Sequence, residues 1–299
     1  MATVTSLNSY SFAFNGFVFG GTDSPYQITA VDGIEDLPVL RVQDDNRGYQ
    51  DGMFTGRDFL SGRIIQMSMQ VFGTANASMQ QNLALLQNAL IPQQQGTGIL
   101  QFQIPGSNLQ EVNARVRRRA VRIDPDFTYG RAIVTYEFFA PDPRRYDSLI
   151  QSTDLILGVT TTGRTYNRVY TAAASPNANP NTTGMSFGGG AGSPNLVVNN
   201  GNTTTYPLIT ITGPAINPVI TNATAGAFLQ INYTLGSTDT LVISTDFRTL
   251  TLNGVTRRSI LANNSTWFGA QPGTNLYTFA ATGTAGSTSC LVQWQSAYI

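Results

Sequence analysis

The chain has 299 residues, enough for two domains of ordinary size, each with its own core. Its 17 basic residues, all arginine, balance 17 acidic ones, and it contains neither lysine nor histidine. That balance offers no excess charge to a polyanion or an acidic surface. The missing residue types exclude imidazole-based serine, cysteine and zinc mechanisms, the Walker-type phosphate loop and Schiff-base chemistry.

In chain order, residues 1–60 predict short strands joined by turns, with Phe12, Phe14, Phe17 and Phe19 near the start and glycine at 16, 20 and 21. The stretch Val39–Asp58, rich in Asp, Arg and Gly, reads either as a flexible loop or as an extended arm that becomes ordered against a partner. From Arg63 to Gly73, Ile65, Met67, Met69 and Val71 alternate with Gln66, Ser68 and Gln70, the period of a half-buried strand. One helix is expected, from about Ser78 to Ile91: Ser78 and Gln81 have capping-box spacing, Met79, Leu83, Leu86 and Leu90 form one stripe, and Pro92 ends it.

Strands resume at Ile99–Ile104, with Leu100, Phe102 and Ile104 inward, and again from Glu111. The latter strand holds the one basic cluster, Arg115, Arg117, Arg118, Arg119 and Arg122. Its inward apolar residues change parity from Val112, Ala114 and Val116 to Val121 and Ile123, which predicts a β-bulge near Arg117–Arg119 and an edge or rim position. A solvated or subunit-facing rim is favoured over a phosphate-binding face, because the total charge is neutral and no nucleic-acid motif accompanies the cluster. Arg131–Ala140 then alternates with both faces largely apolar and predicts a central strand, stopped by Pro141 and Pro143.

Composition changes after this stop. Residues 1–150 carry 12 Arg and 14 Asp or Glu, whereas 151–299 carry 5 Arg and 3 Asp. The organisation expected is an N-terminal domain over 1–148, a Thr/Gly/Asn-rich linking region with edge strands over 149–206, and a C-terminal β-sandwich over 207–299. In the last, strand signals recur at short intervals and Asn253-Gly254 marks a type I′ hairpin. Cys290, Val292 and Trp294 share one strand face, so the single cysteine is expected in the core. With one cysteine no internal disulfide forms. No basic, apolar leader and no run of 18 apolar residues occurs, so maturation in a cytoplasm without membrane insertion is expected.

No catalytic, cofactor-binding or metal-ligating residue is predicted. The chemistry that survives is a glycosidase-type carboxylate pair. The second half offers only Asp154, Asp239 and Asp246, of which the last two read as turn residues bonding their own backbone.

The run Thr240–Ser259, followed by Ser265-Thr-Trp267-Phe268 and Pro272-Gly-Thr-Asn275, resembles the C-terminal domain of siphophage distal tail proteins. Tyr136-Glu-Phe-Phe-Ala-Pro-Asp-Pro-Arg-Arg-Tyr146 resembles the end of their N-terminal ring domain, and Gly213–Pro218 with Val219–Asn222 adds a third likeness. The resemblance implies a mainly β protein: an N-terminal β-rich ring domain with one α-helix, and a galectin-like or carbohydrate-binding-module-like sandwich. It implies a structural virion protein at the tail tip, assembled in the host bacterial cytoplasm. A homo-hexameric ring would join the tail tube protein to the baseplate hub and a receptor-binding protein, with DNA passing through unrecognised. Within that picture Arg115, Arg117, Arg118, Arg119 and Arg122 are candidate subunit-interface residues, and the 39–58 arm and the helix are expected to reach neighbouring subunits. The alternative from another class is a carbohydrate-binding protein or sandwich glycosidase acting on bacterial envelope glycans, with Trp267 as the candidate glycan contact.

Overall fold

A computed structural model of the chain describes residues 3–155, 157, 195–282 and 288–299. They fall into two compact units: Met1–Ile150 with Gly201–Thr203 and Gln295–Ile299, and Gln151–Asn200 with Thr204–Trp294.

The first unit opens with a hairpin of β1 (Ser11–Phe14) and β2 (Phe17–Gly20), followed by β3 (Tyr26–Asp32). Four short strands come next: β4 (Leu40–Arg41), β5 (Asp45–Asn46), β6 (Met53–Phe54) and β7 (Phe59–Leu60). The rest is β8 (Arg63–Phe72), α1 (Asn76–Ala89), β9 (Gly98–Gln103), β10 (Gln110–Arg122), β11 (Arg131–Ala140) and β12 (Arg145–Asp147). The main sheet runs β2-β1-β9-β10-β11-β8-β3, antiparallel at every step. It curls until its end strands meet, bringing the rings of Phe17 and Tyr26 to 5.5 Å.

Strand β11 is central, as its two apolar faces require. It pairs with β10 and β8, buries Ala132, Val134, Tyr136, Phe138 and Ala140, and ends at the residue before Pro141. In β8 the alternation holds, with Ile65, Met67, Met69 and Val71 wholly buried. Helix α1 lays Met79, Leu83, Leu86 and Leu90 into the same core. It begins two residues earlier than Ser78. Ser78 sits at the third helical position, where its Oγ accepts the Ala75 backbone N–H at 3.0 Å. A hydroxyl can cap from inside the first turn as well as from outside it, so the spacing signal was real and its offset was not fixed. Close packing at the helix start requires Gly73, where a Cβ would lie 2.2 Å from the Met79 nitrogen.

The second unit contains β13 (Gln151–Leu155), β14 (Asn195–Asn199), β15 (Leu208–Thr212), β16 (Ala215–Asn222), β17 (Ala227–Gln230) and β18 (Thr234–Leu235). It continues with β19 (Thr240–Ser244), β20 (Thr249–Leu252), β21 (Val255–Thr256), β22 (Gly273–Thr282) and β23 (Ser289–Trp294). One sheet runs β13-β23-β15-β19-β20-β21 and the other β14-β22-β16-β17, with β18 on β16. Inward residues of both sheets, among them Ile209, Ile243, Val292, Ile220 and Phe279, form one core, which makes the unit a β-sandwich. Asn253 (φ 51°) and Gly254 (φ 81°) make the I′-type turn between β20 and β21. Cys290 is buried in that core, and Trp294 is nearly so, its Nε1 donating to the Val198 carbonyl at 2.8 Å.

The chain ends in β24 (Ala297–Tyr298), which pairs with β12 in the first unit. The sequence places these residues in the C-terminal domain. The structure returns them to the first unit, because Thr203 bridges Ala297 and Gln295 donates to Glu111 and to the Asp147 carbonyl. Of the 149–206 region, the described parts are edge strands β13 and β14 and the loop into β15; the glycine run at 188–194 lies outside the described residues. Among the described residues no helix is long and apolar enough to cross a membrane.

Candidate assembly surface

The stretch that the sequence left between loop and arm is an ordered two-stranded ribbon. β4 pairs with β7 and β5 with β6, the Ser61 N–H donates to the Val39 carbonyl at 2.8 Å, and Arg47 N–H to the Gly52 carbonyl at 3.3 Å. Every residue from 39 to 59 is exposed except Asp44, which is half-buried and accepts the Gly56 N–H at 2.8 Å. Apolar side chains are among the exposed: Val39 at 70%, Phe54 at 61%, and also Val42, Tyr49 and Met53. Arginines stack on its aromatics, with Arg41 and Arg57 at 5.7 and 5.3 Å from the Phe59 ring and Arg47 at 5.0 Å from Phe54.

Both roots of this ribbon are held by one buried side chain. Arg63, 1% exposed, donates from Nε to the Pro143 carbonyl at 2.8 Å and from Nη1 to the carbonyls of Gly33, Ile34 and Asp36, each at 2.7 Å. It therefore ties the strand leaving the ribbon to the loop entering it. Burial, with the neighbouring Arg145 cation, lowers its pKa to about 10 against the pull of Glu35 and Asp36. Arg145, also buried, is ion-paired from Nη1 to Glu35. Sequence reading missed Arg63. The signal was there, because Arg63 has the parity of Ile65 and Met67 and so points inward with them.

The arginine cluster sits where the bulge was expected. The β10–β11 register shifts between Val116 and Arg118. The strand is paired on both sides only at its start, where Gln110 and Glu111 lie between β9 and β12; Val112–Ala114 pair with β9 alone and Arg115–Arg122 with β11 alone, so the arginine-rich half has one side unpaired. Beyond the bulge Arg117, Arg118, Arg119 and Ala120 are consecutively exposed. Val121 still packs on the core, but Ile123, expected inward, is exposed because the strand ends at Arg122. Arg115 and Arg117 stand over Phe139, the latter at 3.4 Å from the ring centroid, and Arg122 pairs with Asp124 at 3.4 Å.

Other predicted positions offer less. Trp267 is half-buried and packs on the core of the second unit, so it is not an open stacking platform. The most exposed aromatic among that unit's described residues is Phe247, at 79% on the β19–β20 turn. Asp239 is a turn residue, as read: it accepts from Asn253 Nδ2 at 2.9 Å and Gly236 N–H at 2.8 Å, bonds that hold its carboxyl below its usual pKa. Asp246 lies in the β19–β20 turn and Asp154 is exposed on edge strand β13. Burial, and secondarily Asp154, push the Cys290 thiol well up, leaving it unreactive. An open depression of about 390 Å³ lies among loops 6–8 and 20–24, with Asp23 as its one ionisable residue. Among the described residues no group of three or more Cys, Asp or Glu side chains could hold a metal ion.

Residues 200–298 match the family model described as Siphovirus-type tail component, C-terminal domain. No curated protein matches the sequence. Among solved structures, the Dit (gp 19.1) protein of phage SPP1, described as a paradigm of the hub adsorption apparatus in phages infecting Gram-positive bacteria, superposes with a TM-score of 0.64. The match has 16% identity and covers 97% of this chain and 99% of that one. A chain of the phage p2 baseplate in its activated, strontium-bound conformation superposes with a TM-score of 0.50 at 10% identity, covering 95% and 97%.

The class that the C-terminal residues match is thus the siphovirus-type tail component. In fold the chain is Dit-like: it is similar to SPP1 Dit over nearly its whole length, and its residues 200–298 match the domain that the family model describes.

Proposed function

We propose that this chain is a distal tail protein whose copies, six to a ring, join the tail tube to the baseplate hub and the receptor-binding parts. The observation that carries the reading is the agreement of two independent halves. The C-terminal residues match a tail-component family, and the whole chain, N-terminal unit included, shares the fold of a hub protein. The exposed ribbon supports it, because a two-stranded ribbon with apolar residues open to water on both faces is marginal unless something covers it. A closed ring provides that cover from a neighbouring copy.

In this reading the protein works mechanically and not by catalysis. The first unit makes the ring, DNA passes through its opening without sequence recognition, and the sandwich offers a docking surface to other tail proteins. Arg115, Arg117, Arg118, Arg119 and Arg122 belong to the subunit interface. Assembly takes place in the bacterial cytoplasm, and the protein ends in the virion. Native mass spectrometry and electron microscopy of the purified protein test this. A closed six-copy ring is expected; a stable monomer that never enters particles contradicts it.

A further inference from the structure

We infer that the acidic end of the ribbon, Asp45 and Asp51, seats on Arg117 and Arg118 of a second copy of this chain, so that one repeated ribbon-to-row contact closes the assembly. The inference rests on the ring reading above and adds which surfaces meet.

Two surfaces of the first unit have opposite charge. The ribbon end, residues 44–54, carries Asp44, Asp45 and Asp51 against Arg47 alone, three acids minus one base, a net charge of −2. The stretch Arg115–Arg122 carries five arginines and no acid. The bulge exposes three of those arginines in succession, where an unbroken strand would turn every second one inward. Among the described residues neither Arg117 nor Arg118 has an ion pair. Phe139 supplies an aromatic floor under the guanidinium groups of Arg115 and Arg117.

The ribbon also brings Tyr49, Met53 and Phe54, all exposed, beside its acids. A surface that is apolar and acidic fits one that is aromatic and basic, and complementary potentials fix register and partner choice. Because the two surfaces differ, the contact is heterologous. Copies joined that way add head to tail and close only when the rotation permits.

Charge reversal gives a test with a rescue built in. One variant carries Asp45→Arg and Asp51→Arg; the other carries Arg117→Asp and Arg118→Asp. All four positions are exposed, so thermal melting of each dissociated variant should equal the parent's. Alone, each variant places like charge on like, and assembly should weaken by about 100-fold. Mixed in equal amounts, each variant's ribbon meets the other's row with opposite charge. An even-numbered ring can then close by alternation, and native mass spectrometry should find both variants in equal number.

If either variant alone assembles like the parent, or if two well-folded variants fail to assemble when mixed, the inference is overturned while the ring reading stands. A parent protein that never assembles overturns the ring reading itself. Should a reversal variant fail to fold, Asp45→Cys combined with Arg118→Cys replaces it. Oxidation should give a ladder of disulfide-linked copies, with buried Cys290 taking no part, and a product that stays monomeric overturns the pairing.

Discussion

Two antiparallel ribbons in this molecule have opposite surroundings. In the second unit β19 and β20 turn one face inward and bury Leu241, Ile243, Leu250 and Leu252 in the sandwich core. In the first unit β4–β7 bury no side chain fully, and residues 39–59 are exposed apart from Asp44. Burial of apolar area is the main force that holds a ribbon in place. The first ribbon is therefore kept by its own chain, while the second is held at its roots by Arg63 and left for another surface to cover. A ribbon anchored that firmly at its base and uncovered along its length fits the connecting role proposed for it.

Excision gives the largest effect. Leu40 and Leu60 are strand partners, so Arg41–Phe59 can be replaced by Asn-Gly, a two-residue turn. Ring formation should be abolished while the melting temperature of the dissociated protein stays within a degree or two of the parent's, as read by light scattering and circular dichroism. A ring that survives excision breaks the comparison.

Next in size is Arg63→Met. It removes four hydrogen bonds from a buried cation and leaves the carbonyls of Gly33, Ile34, Asp36 and Pro143 without that donor. A loss of about 3–5 kcal/mol is expected in denaturant titration. Faster proteolysis of the ribbon in native buffer should accompany it.

A matched pair sharpens the contrast. Leu250→Ala in the covered ribbon should cost about 3 kcal/mol. Phe54→Ala in the uncovered one should cost less than about 0.5 kcal/mol in the dissociated protein and show its effect only in assembly.

The smallest effect concerns pH. Burial raises the pKa of Glu111 above the ordinary carboxylate range, against hydrogen bonds from Gln295 and Ser148. Its protonated form is thus favoured in the folded state. The stability linked to it is full below the unfolded pKa and is lost as pH rises through the folded value. Glu111→Gln removes that loss. The melting difference between variant and parent should therefore shift in the variant's favour from pH 4 to pH 7, and a shift in the other direction contradicts the assignment.

Much of the fold was legible because burial imposes a period. The alternation of Ile65, Met67, Met69 and Val71, the stripe from Met79 to Leu90 and the two apolar faces of Arg131–Ala140 each reflect a core, and each lies where the spacing put it. The bulge was readable for the same reason, as a break of parity. Where no core acts there is no period, so Val39–Asp58 read equally well as loop or arm. Arg63 was hidden for another reason: charge normally marks a surface, and only its carbonyl partners, 27 to 80 residues away in sequence, make its burial tolerable. The return of Ala297 and Tyr298 to the first unit rests on pairing with a strand about 150 residues earlier, a contact that no local pattern encodes.

Hydrogen–deuterium exchange, followed residue by residue in dissociated and assembled protein, tests the connector directly. Amides of residues 39–59 should exchange quickly in the lone copy and become protected on assembly, while those of Leu241–Ile243 and Leu250–Leu252 stay protected in both. Equal protection of the ribbon in the two states, or none in the assembled one, would contradict the account.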